Sequence, residues 1–121
     1  MRINVKGTSP YEDIIGFSRA VRCGNTILVS GTGPIGADEA DAETQARHVM
    51  KIIERSLVES AARLRNVVRT RIYLRDAADW EAVARVHHEY FDTIRPAATM
   101  VVVAGFLNPS WRVEIEVEAY L

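Results

Sequence analysis

Several features that direct a chain into a membrane or out of the cell are absent from this sequence. It contains one cysteine, Cys23, so no disulfide can form within a chain, which is typical of a reducing compartment. No stretch approaches the roughly 18 apolar residues of a membrane-spanning helix, and no apolar run follows the basic residues Arg2 and Lys6. We therefore predict no membrane segment, no signal peptide and a cytoplasmic location.

Features of nucleic-acid binding and of cofactor chemistry are scarce as well. The net charge is −1 and aromatic residues make up 7% of the chain, which provides neither a general attraction to phosphates nor a ladder of stacking rings. His87 and His88 are adjacent and would project about 100° apart on a helix, and His87 falls on an apolar stripe, where a core or interface position is expected. The sequence shows no metal-ligand spacing, no dinucleotide fingerprint and no nucleophile–base pair. We therefore predict no metal and no cofactor, and the charge and aromatic content predict no nucleic-acid partner.

The remaining composition is that of an ordinary globular protein. The chain has 121 residues, of which 48% are hydrophobic and 26% charged. A chain of this size buries about two-thirds of its unfolded surface in one modest core. We therefore predict a single domain spanning residues 1–121.

The strongest local signal lies near the end of the chain. From Trp111 to Ala119, apolar residues alternate with charged ones without interruption, which predicts a β-strand. One face of this strand carries Glu114, Glu116 and Glu118, about 6.5–7 Å apart. Like charges in such a row repel each other unless cations lie opposite. Two interpretations remain open: a solvated face of an edge strand, or a face that meets a cationic row or a binding cleft.

A second strand, predicted between Val67 and Arg75, has a charged face of the opposite sign. Arginines and one tyrosine alternate there with apolar residues, at Arg69, Arg71, Tyr73 and Arg75. We predict that the two strands are sheet neighbours and that the arginine row faces the glutamate row, each pair contributing about 0.2–1 kcal/mol. Such a charged face needs water or a cover, and a subunit interface would supply the cover.

Two apolar stripes with spacings of three and four residues predict the helices. The first runs from about Asp41 to Leu64. The second follows Asp76 or Asp79, which are alternative N-caps, and ends at Arg95-Pro96.

Turns and loops complete the predicted order of elements. Gly24-Asn25 predicts a hairpin turn between strands at 17–23 and 26–30, residues 7–16 are predicted to form a loop, and residues 31–36 form a glycine-rich connector. A short strand is predicted at residues 1–6. The order β, β-hairpin, α, β, α, β, β predicts an α+β sandwich in which both helices cover one face of a mixed sheet.

A set of short motifs, each weak alone, becomes specific through its order and spacing. The motifs are Gly24-Asn25, Val29-Ser30-Gly31, Gln45-Ala46-Arg47, Val67-Val68-Arg69-Thr70, Tyr73-Leu74-Arg75-Asp76, Pro96-Ala97 and Val113-Glu114-Ile115-Glu116. Together they resemble the RidA/YjgF family of reactive-intermediate deaminases, formerly called L-PSP endoribonucleases, over nearly the whole chain. Residues 17–22 and 95–100 resemble one branch of that family more closely.

The resemblance implies a chorismate-mutase-like fold and a homotrimer with three clefts between subunits. In typical deaminase members an arginine directly after Pro-Ala binds the carboxylate of a 2-imino or 2-enamino acid, and a glutamate and backbone groups position the hydrolytic water. Carried over to this sequence, the catalytic glutamate is Glu114, the loop glycine is Gly31 and the pocket aromatic is Phe17. The arginine position holds Ala98, whose methyl group cannot replace a bidentate guanidinium contact.

The alanine leaves three alternatives: the substrate lacks that carboxylate, Arg19 or Arg112 binds it instead, or catalysis has been lost. Two hypotheses about function follow. In the first, a trimer binds a small metabolite in inter-subunit clefts and hydrolyses an imine or enamine to a carbonyl compound and ammonia. In the second, the trimer binds a small ligand or acts in regulation without catalysis. RNA cleavage is disfavoured because the overall charge has the wrong sign for a polyanion.

Overall fold

The computed structural model describes residues 1–121, and its centre is one six-stranded sheet with strand order β1-β2-β3-β6-β4-β5. The elements are β1 (Arg2–Val5), α1 (Pro10–Ile15), β2 (Ala20–Cys23), β3 (Thr26–Thr32), α2 (Ala42–Glu59), β4 (Val67–Leu74), α3 (Trp80–Phe91), β5 (Ala97–Val102) and β6 (Val113–Tyr120). All neighbouring strands are antiparallel except β4 and β5, which are parallel. The α+β class and the mixed sheet are confirmed. No helix combines the length and apolar content needed to cross a membrane.

The core lies between the sheet and the two long helices. The alternating residues of β6 behave as the sequence predicts: the four apolar side chains that point to the helices are nearly inaccessible, namely Val113, Ile115, Val117 and Ala119. Residues of α2 and α3 close the other side of this core, among them Val49, Ile53, Leu57, Val83 and Val86. Burial of this apolar surface is the main force that holds the helices on one face of the sheet.

The opposite face of the sheet carries the two charged rows in the predicted register. Arg69 lies across from Glu118 and Arg71 across from Glu116. Arg69 Nε is 3.1 Å from Glu118 Oε2, and Arg71 Nη1 is 3.6 Å from Glu116 Oε2. These four side chains are between 32% and 41% exposed. Solvent therefore screens each pair, which contributes at most about 1 kcal/mol. The rows therefore set the polarity of this face more than its stability.

The segment predicted as a loop at residues 7–16 contains a short helix, so that prediction was wrong. Ser9 caps α1 by accepting a hydrogen bond from the Tyr11 amide, Pro10 occupies the first turn, and Gly16 ends the helix in the left-handed conformation with φ 91°. The Glu12 carboxylate is buried and accepts hydrogen bonds from the amides of Gly7 and Ser9. This reciprocal capping box stabilises a helix that apolar periodicity does not show.

Other predicted boundaries also differ from the structure: the strand predicted at residues 17–23 begins at Ala20, and the strand predicted from Trp111 begins at Val113. Helix α2 ends at Glu59 rather than near Leu64, because Ala61 adopts a left-handed conformation with φ 61° that closes the helix. Strand β3 continues through Gly31 to Thr32, with a register shift between Val29 and Thr32. The predicted glycine-rich connector therefore begins inside a strand, at a β-bulge.

Gln45 is a fully buried polar side chain that joins α2 to the entrance of β6. Its Nε2 lies 3.0–3.1 Å from the carbonyl oxygens of Asp38, Ala40 and Ser110, and its Oε1 accepts a hydrogen bond from the Arg112 amide at 2.7 Å. One amide group thus satisfies backbone groups from two separate loops. It fixes the start of β6 relative to the helix layer.

Strand β5 lies at one end of the sheet, and its outer edge has no strand partner. Five of its six residues are exposed, among them Val101 at 42% and Val102 at 56%. An exposed apolar edge of this kind is a natural surface for pairing or for a partner subunit.

Candidate functional site

Glu114, Gly31 and Phe17, the three site residues predicted from the sequence, line one cavity on the face opposite the long helices. The cavity has a volume of about 280 Å³. Glu114 reaches it from β6, Gly31 from β3, and Phe17 from the segment before β2. Arg19, also predicted as a candidate, lines the same cavity. The structure therefore brings these four residues together within a single chain.

The β-bulge in β3 is what brings Gly31 beneath the carboxylate of Glu114. A Cβ atom placed on Gly31 would lie 2.9 Å from Glu114 Oε1, which is closer than a carbon atom tolerates without displacing its neighbour. The bulge also turns the Gly31 carbonyl oxygen toward Arg19, whose Nη2 donates a hydrogen bond to it at 2.7 Å. Glycine is thus required here by close approach, and the bulge aims both groups at the cavity.

The environment of Glu114 favours its neutral form. Burial raises the pKa of the Glu114 carboxyl above its usual range, and the positive charge of Arg19 opposes that shift in part. Glu116 raises the pKa further because it lies on the same face of β6. A carboxyl group with a raised pKa inside a cavity is suited to exchange protons with a bound molecule.

Arg19 is the cationic group of the cavity, and it is 2% exposed. Its guanidinium carbon lies 5.2 Å from the centre of the Phe17 ring, a cation–π distance. Burial lowers the pKa of Arg19, while the charges of Glu12 and Glu114 raise it. An arginine with a pKa near its high ordinary value stays charged despite such a shift.

Aromatic and aliphatic side chains that the sequence analysis did not select form the wall of this cavity. The rings of Tyr11 and Trp111 meet edge to face with their centres 5.9 Å apart. Trp111 packs against Gly33, and its Nε1 donates a hydrogen bond to Asp38 at 2.8 Å. Ile15 and Leu107 complete the wall and are 59% and 66% exposed. The only sequence signal for Tyr11 was the unrecognised capping box of α1.

Arg112, the other candidate that the sequence left open, does not line this cavity. Its Nε donates a hydrogen bond to Asp79 at 2.9 Å, and its backbone amide is bound by Gln45. Arg112 precedes the first residue of β6, where the pleat that directs Glu114 has not yet begun. Its side chain therefore turns toward the start of α3 and belongs to the structural frame.

Ala98 lies on the other face of the sheet from Glu114. It pairs with Thr70, whose side chain is buried against the helices, whereas Glu114 pairs with Tyr73 on the charged face. Ala98 lines a second cavity of about 350 Å³ whose further residues include His87, Phe91 and Met100. Ala98 and Glu114 consequently occupy separate cavities within one chain.

His87 is a half-buried residue of this second cavity, as its position on the apolar stripe predicts. Its Nε2 lies 2.9 Å from Thr70 Oγ1, and its ring packs at 4.6 Å from that of Phe91. Burial lowers the pKa of His87, and the neighbouring His88 lowers it further. No group of three or more histidine, cysteine or acidic side chains is arranged to hold a metal ion.

Comparisons with known proteins show which family this chain resembles. The model of the family described as endoribonuclease L-PSP matches residues 8–121. The 3-aminoacrylate deaminase RutC of Acinetobacter baylyi is 33% identical over 121 residues, covering 96% of this chain and 94% of RutC. An uncharacterized protein of Streptomyces coelicolor is 37% identical over 120 residues, covering 96% of this chain and 90% of that protein.

A solved structure gives the same result at the level of the fold. The crystal structure of Rv2704 from Mycobacterium tuberculosis, described as a member of the YjgF/YER057c/UK114 family, superposes with a TM-score of 0.93 at 40% identity, and the match covers 100% of both chains. The family model and the deaminase relative each cover most of the sequence. The chain therefore belongs to the RidA/YjgF family.

Proposed function

We propose that this protein hydrolyses a small imine or enamine to a carbonyl compound and ammonia, with Glu114 as the base. The observation that carries the proposal is the placement of the half-buried Glu114 carboxyl against Gly31 in a cavity beside Arg19. The family includes a 3-aminoacrylate deaminase at 33% identity, whose reaction class fits a carboxyl group poised for proton transfer.

The proposed reaction needs only water and proton transfers. Glu114 accepts a proton from a water molecule while the oxygen of that water bonds to the C=N carbon of the substrate. The protonated carboxyl gives this proton to the nitrogen, which forms a neutral carbinolamine. Glu114 then takes the proton of the carbinolamine hydroxyl and passes it to the nitrogen, so that the C–N bond breaks, the C=O bond forms and neutral ammonia leaves. An enamine enters the same route after it gains a proton on carbon and loses one from nitrogen, which converts it to the imine. The raised pKa of Glu114 brings its proton affinity closer to that of the groups with which it exchanges.

We further propose that the working cleft lies between two chains of a homotrimer. Ala98 and Glu114 lie on opposite faces of one sheet, so a single cleft that contains both positions requires two chains. The unpaired, exposed edge of β5 and the half-exposed charged face are the surfaces available for that contact. A ligand enclosed between them would be largely removed from water, which strengthens every polar contact that it makes.

The test is ammonia release from imines generated enzymatically from several amino acids, and from neutral imines. We expect a rate above that of spontaneous hydrolysis, and sedimentation at micromolar concentration should give the mass of a trimer. No release from any of these compounds by a folded trimer would contradict the enzymatic proposal. A folded monomer that catalyses the reaction would instead contradict the inter-subunit cleft.

Ala98 supports a second candidate function, a non-catalytic trimer that binds a small ligand or acts in regulation. The cationic contact expected at this position is missing, and its cavity is lined mainly by uncharged groups such as Phe91 and Met100. Absence of ammonia release together with thermal stabilisation by small neutral ligands would favour this function. Both candidates require the same trimer, so the turnover assay separates them.

The pH dependence of turnover gives an independent prediction. Glu114 accepts a proton only when it is ionised, and burial raises its pKa. After correction for spontaneous hydrolysis, kcat/KM should therefore rise as pH increases through a pKa above that of an ordinary glutamate. A pH series from mildly acidic to neutral buffer checks this. A rate that increases as pH falls would instead require a protonated group in the rate-limiting step.

A further inference from the structure

The guanidinium of Arg19 is buried and makes few hydrogen bonds to the rest of the protein. Its only side-chain hydrogen bond joins Nη2 to the Gly31 carbonyl oxygen at 2.7 Å. Its Nε has no hydrogen-bond partner although it is inaccessible to water. Buried arginine donors are normally paired, because an unpaired donor has lost its water without compensation. The structure thus keeps a desolvated cation in the wall of a cavity.

Nearby carboxylates do not neutralise this cation through direct contact. Glu12 and Glu114 are the two acidic groups that act on the charge of Arg19. The oxygens of Glu12 accept hydrogen bonds from the amides of Gly7 and Ser9 instead. Glu114 forms no salt bridge with Arg19, and the two groups act on each other only through their charges at longer range. A bound group with acceptor oxygens would meet the part of Arg19 that lines the cavity and would be attracted by its charge.

The surfaces next to Arg19 indicate what the rest of the ligand resembles. Phe17 lies beneath the guanidinium, and Trp111 forms the adjoining wall. Ile15 and Leu107 are exposed at the mouth although they are large and apolar. A polar end beside Arg19 and an apolar or aromatic body against this wall would cover each surface with matching chemistry.

The Ala98 cavity lacks a comparable cation. The arginine that lines it is Arg95, whose Nη2 is 2.8 Å from Asp92 Oδ1 and which also binds the Asp92 carbonyl. The remaining lining residues are apolar or are His87, His88, Asp92 and Thr99, and burial lowers the pKa of His87. An anionic group would therefore gain more at the Arg19 end of the cleft than at the Ala98 end.

We propose that Arg19 is the specificity-determining residue of this site and that it selects small ligands with a carboxylate at one end and an apolar or aromatic body. In this arrangement the carboxylate binds beside Arg19 and Gly31 in the chain that supplies Glu114, and the uncharged part of the ligand extends toward the Ala98 position. The proposal rests on the proposed function only for the location of the cleft. It concerns binding and requires no turnover.

Benzoate and benzamide provide a matched pair of inert probes, because they share a ring and differ in charge. Titration calorimetry or chemical-shift titration of the wild-type protein should show benzoate binding about 10- to 100-fold more tightly than benzamide. Arg19→Gln should remove that preference and leave benzamide affinity nearly unchanged. Arg19→Lys, which keeps the charge without the planar fork, should restore part of it.

Two further variants separate local binding from general effects. Arg71→Gln removes one positive charge from the same sheet face outside the cavity and should leave both affinities unchanged. Leu107→Ala at the mouth should weaken both probes to a similar extent. If wild type binds benzoate no better than benzamide, the proposal is overturned whether or not Arg19→Gln folds. Benzoate preference without ammonia release from any imine would contradict only the catalytic function.

Discussion

Replacing Glu114 by glutamine is expected to lower kcat/KM for imine hydrolysis by about 10²- to 10⁴-fold, the usual contribution of a general base. Glutamine keeps the size of the side chain and its place against Gly31, but its amide cannot accept a proton from water at ordinary pH. Ammonia release measured at saturating and subsaturating substrate separates a loss of kcat from a change in KM.

Glu116→Gln is the matched control for this substitution. Glu116 lies on the same strand and the same face, two residues further on, but it does not line the cavity and its carboxylate is bound by the Tyr73 hydroxyl. We expect its kcat/KM to stay within about threefold of wild type, since it can act on Glu114 only through its charge. Equal losses in both variants would indicate a general effect of charge on this face and would remove Glu114 from the mechanism.

The substitution Glu114→Gln also has a predicted effect on the stability of the folded protein. Burial raises the pKa of this carboxyl in the folded state, so ionisation is less favourable there than in the unfolded chain. The protonated Glu114 carboxyl contributes to stability fully at pH values below its pKa in the unfolded chain. This contribution is lost as pH rises through its pKa in the folded protein. Glutamine carries no such cost at neutral pH, so the melting temperature of the variant should equal or exceed that of wild type. A drop in activity therefore could not be ascribed to unfolding.

Gln45→Ala is expected to reduce the free energy of unfolding by about 3 to 4 kcal/mol. The substitution removes the partner of the carbonyl oxygens of Asp38 and Ser110 and of the Arg112 amide, and it leaves a cavity in a fully buried place. Each unpaired buried group costs about 1–3 kcal/mol, but water entering the new cavity would offset part of the total. Urea denaturation followed by circular dichroism measures the difference.

Thr44→Ala provides the control, because Thr44 is the neighbouring helical residue and its side chain is exposed. We expect a change within about 0.5 kcal/mol. A similarly small effect for Gln45→Ala would show that water replaces the amide fully and that Gln45 does not hold the start of β6. The prediction is also contradicted if Gln45→Ala is as stable as wild type but binds ligand less tightly. Trp111 lines the cavity and donates a hydrogen bond to Asp38, so the loops that Gln45 holds and the cavity wall share this residue.

Much of the fold could be predicted because its strongest signals are periodic. The alternation around β6 fixes which side chains face the helices, and the opposite signs of the β4 and β6 rows predict their pairing, which the register confirms. Helix α1 was not predicted, although its sequence contains the capping box of Ser9 and Glu12. A helix of this length has too few residues for an apolar stripe, so only its end signals identify it.

The site was predictable to the extent that strand phase or family resemblance could place its residues. Glu114, Gly31 and Phe17 follow from the family resemblance, and Arg19 follows from the phase of its strand. Arg112 does not line this cavity because Gln45 and Asp79 hold its segment in a different direction from the alternation of β6. The face occupied by Ala98 depends on the pairing of β5 with β4, and a continuous apolar run such as that at residues 100–104 shows no alternation to reveal it.

The open outer edge of β5 also affects how the chain behaves soon after synthesis. Until that edge is covered, each newly folded copy displays a template of free amide and carbonyl groups beside Val101 and Val102. Other nascent copies can pair with it out of register, and such pairing competes with correct assembly. The yield of native protein in a cell should therefore depend on how quickly copies find their proper neighbours, which a measured equilibrium stability does not report.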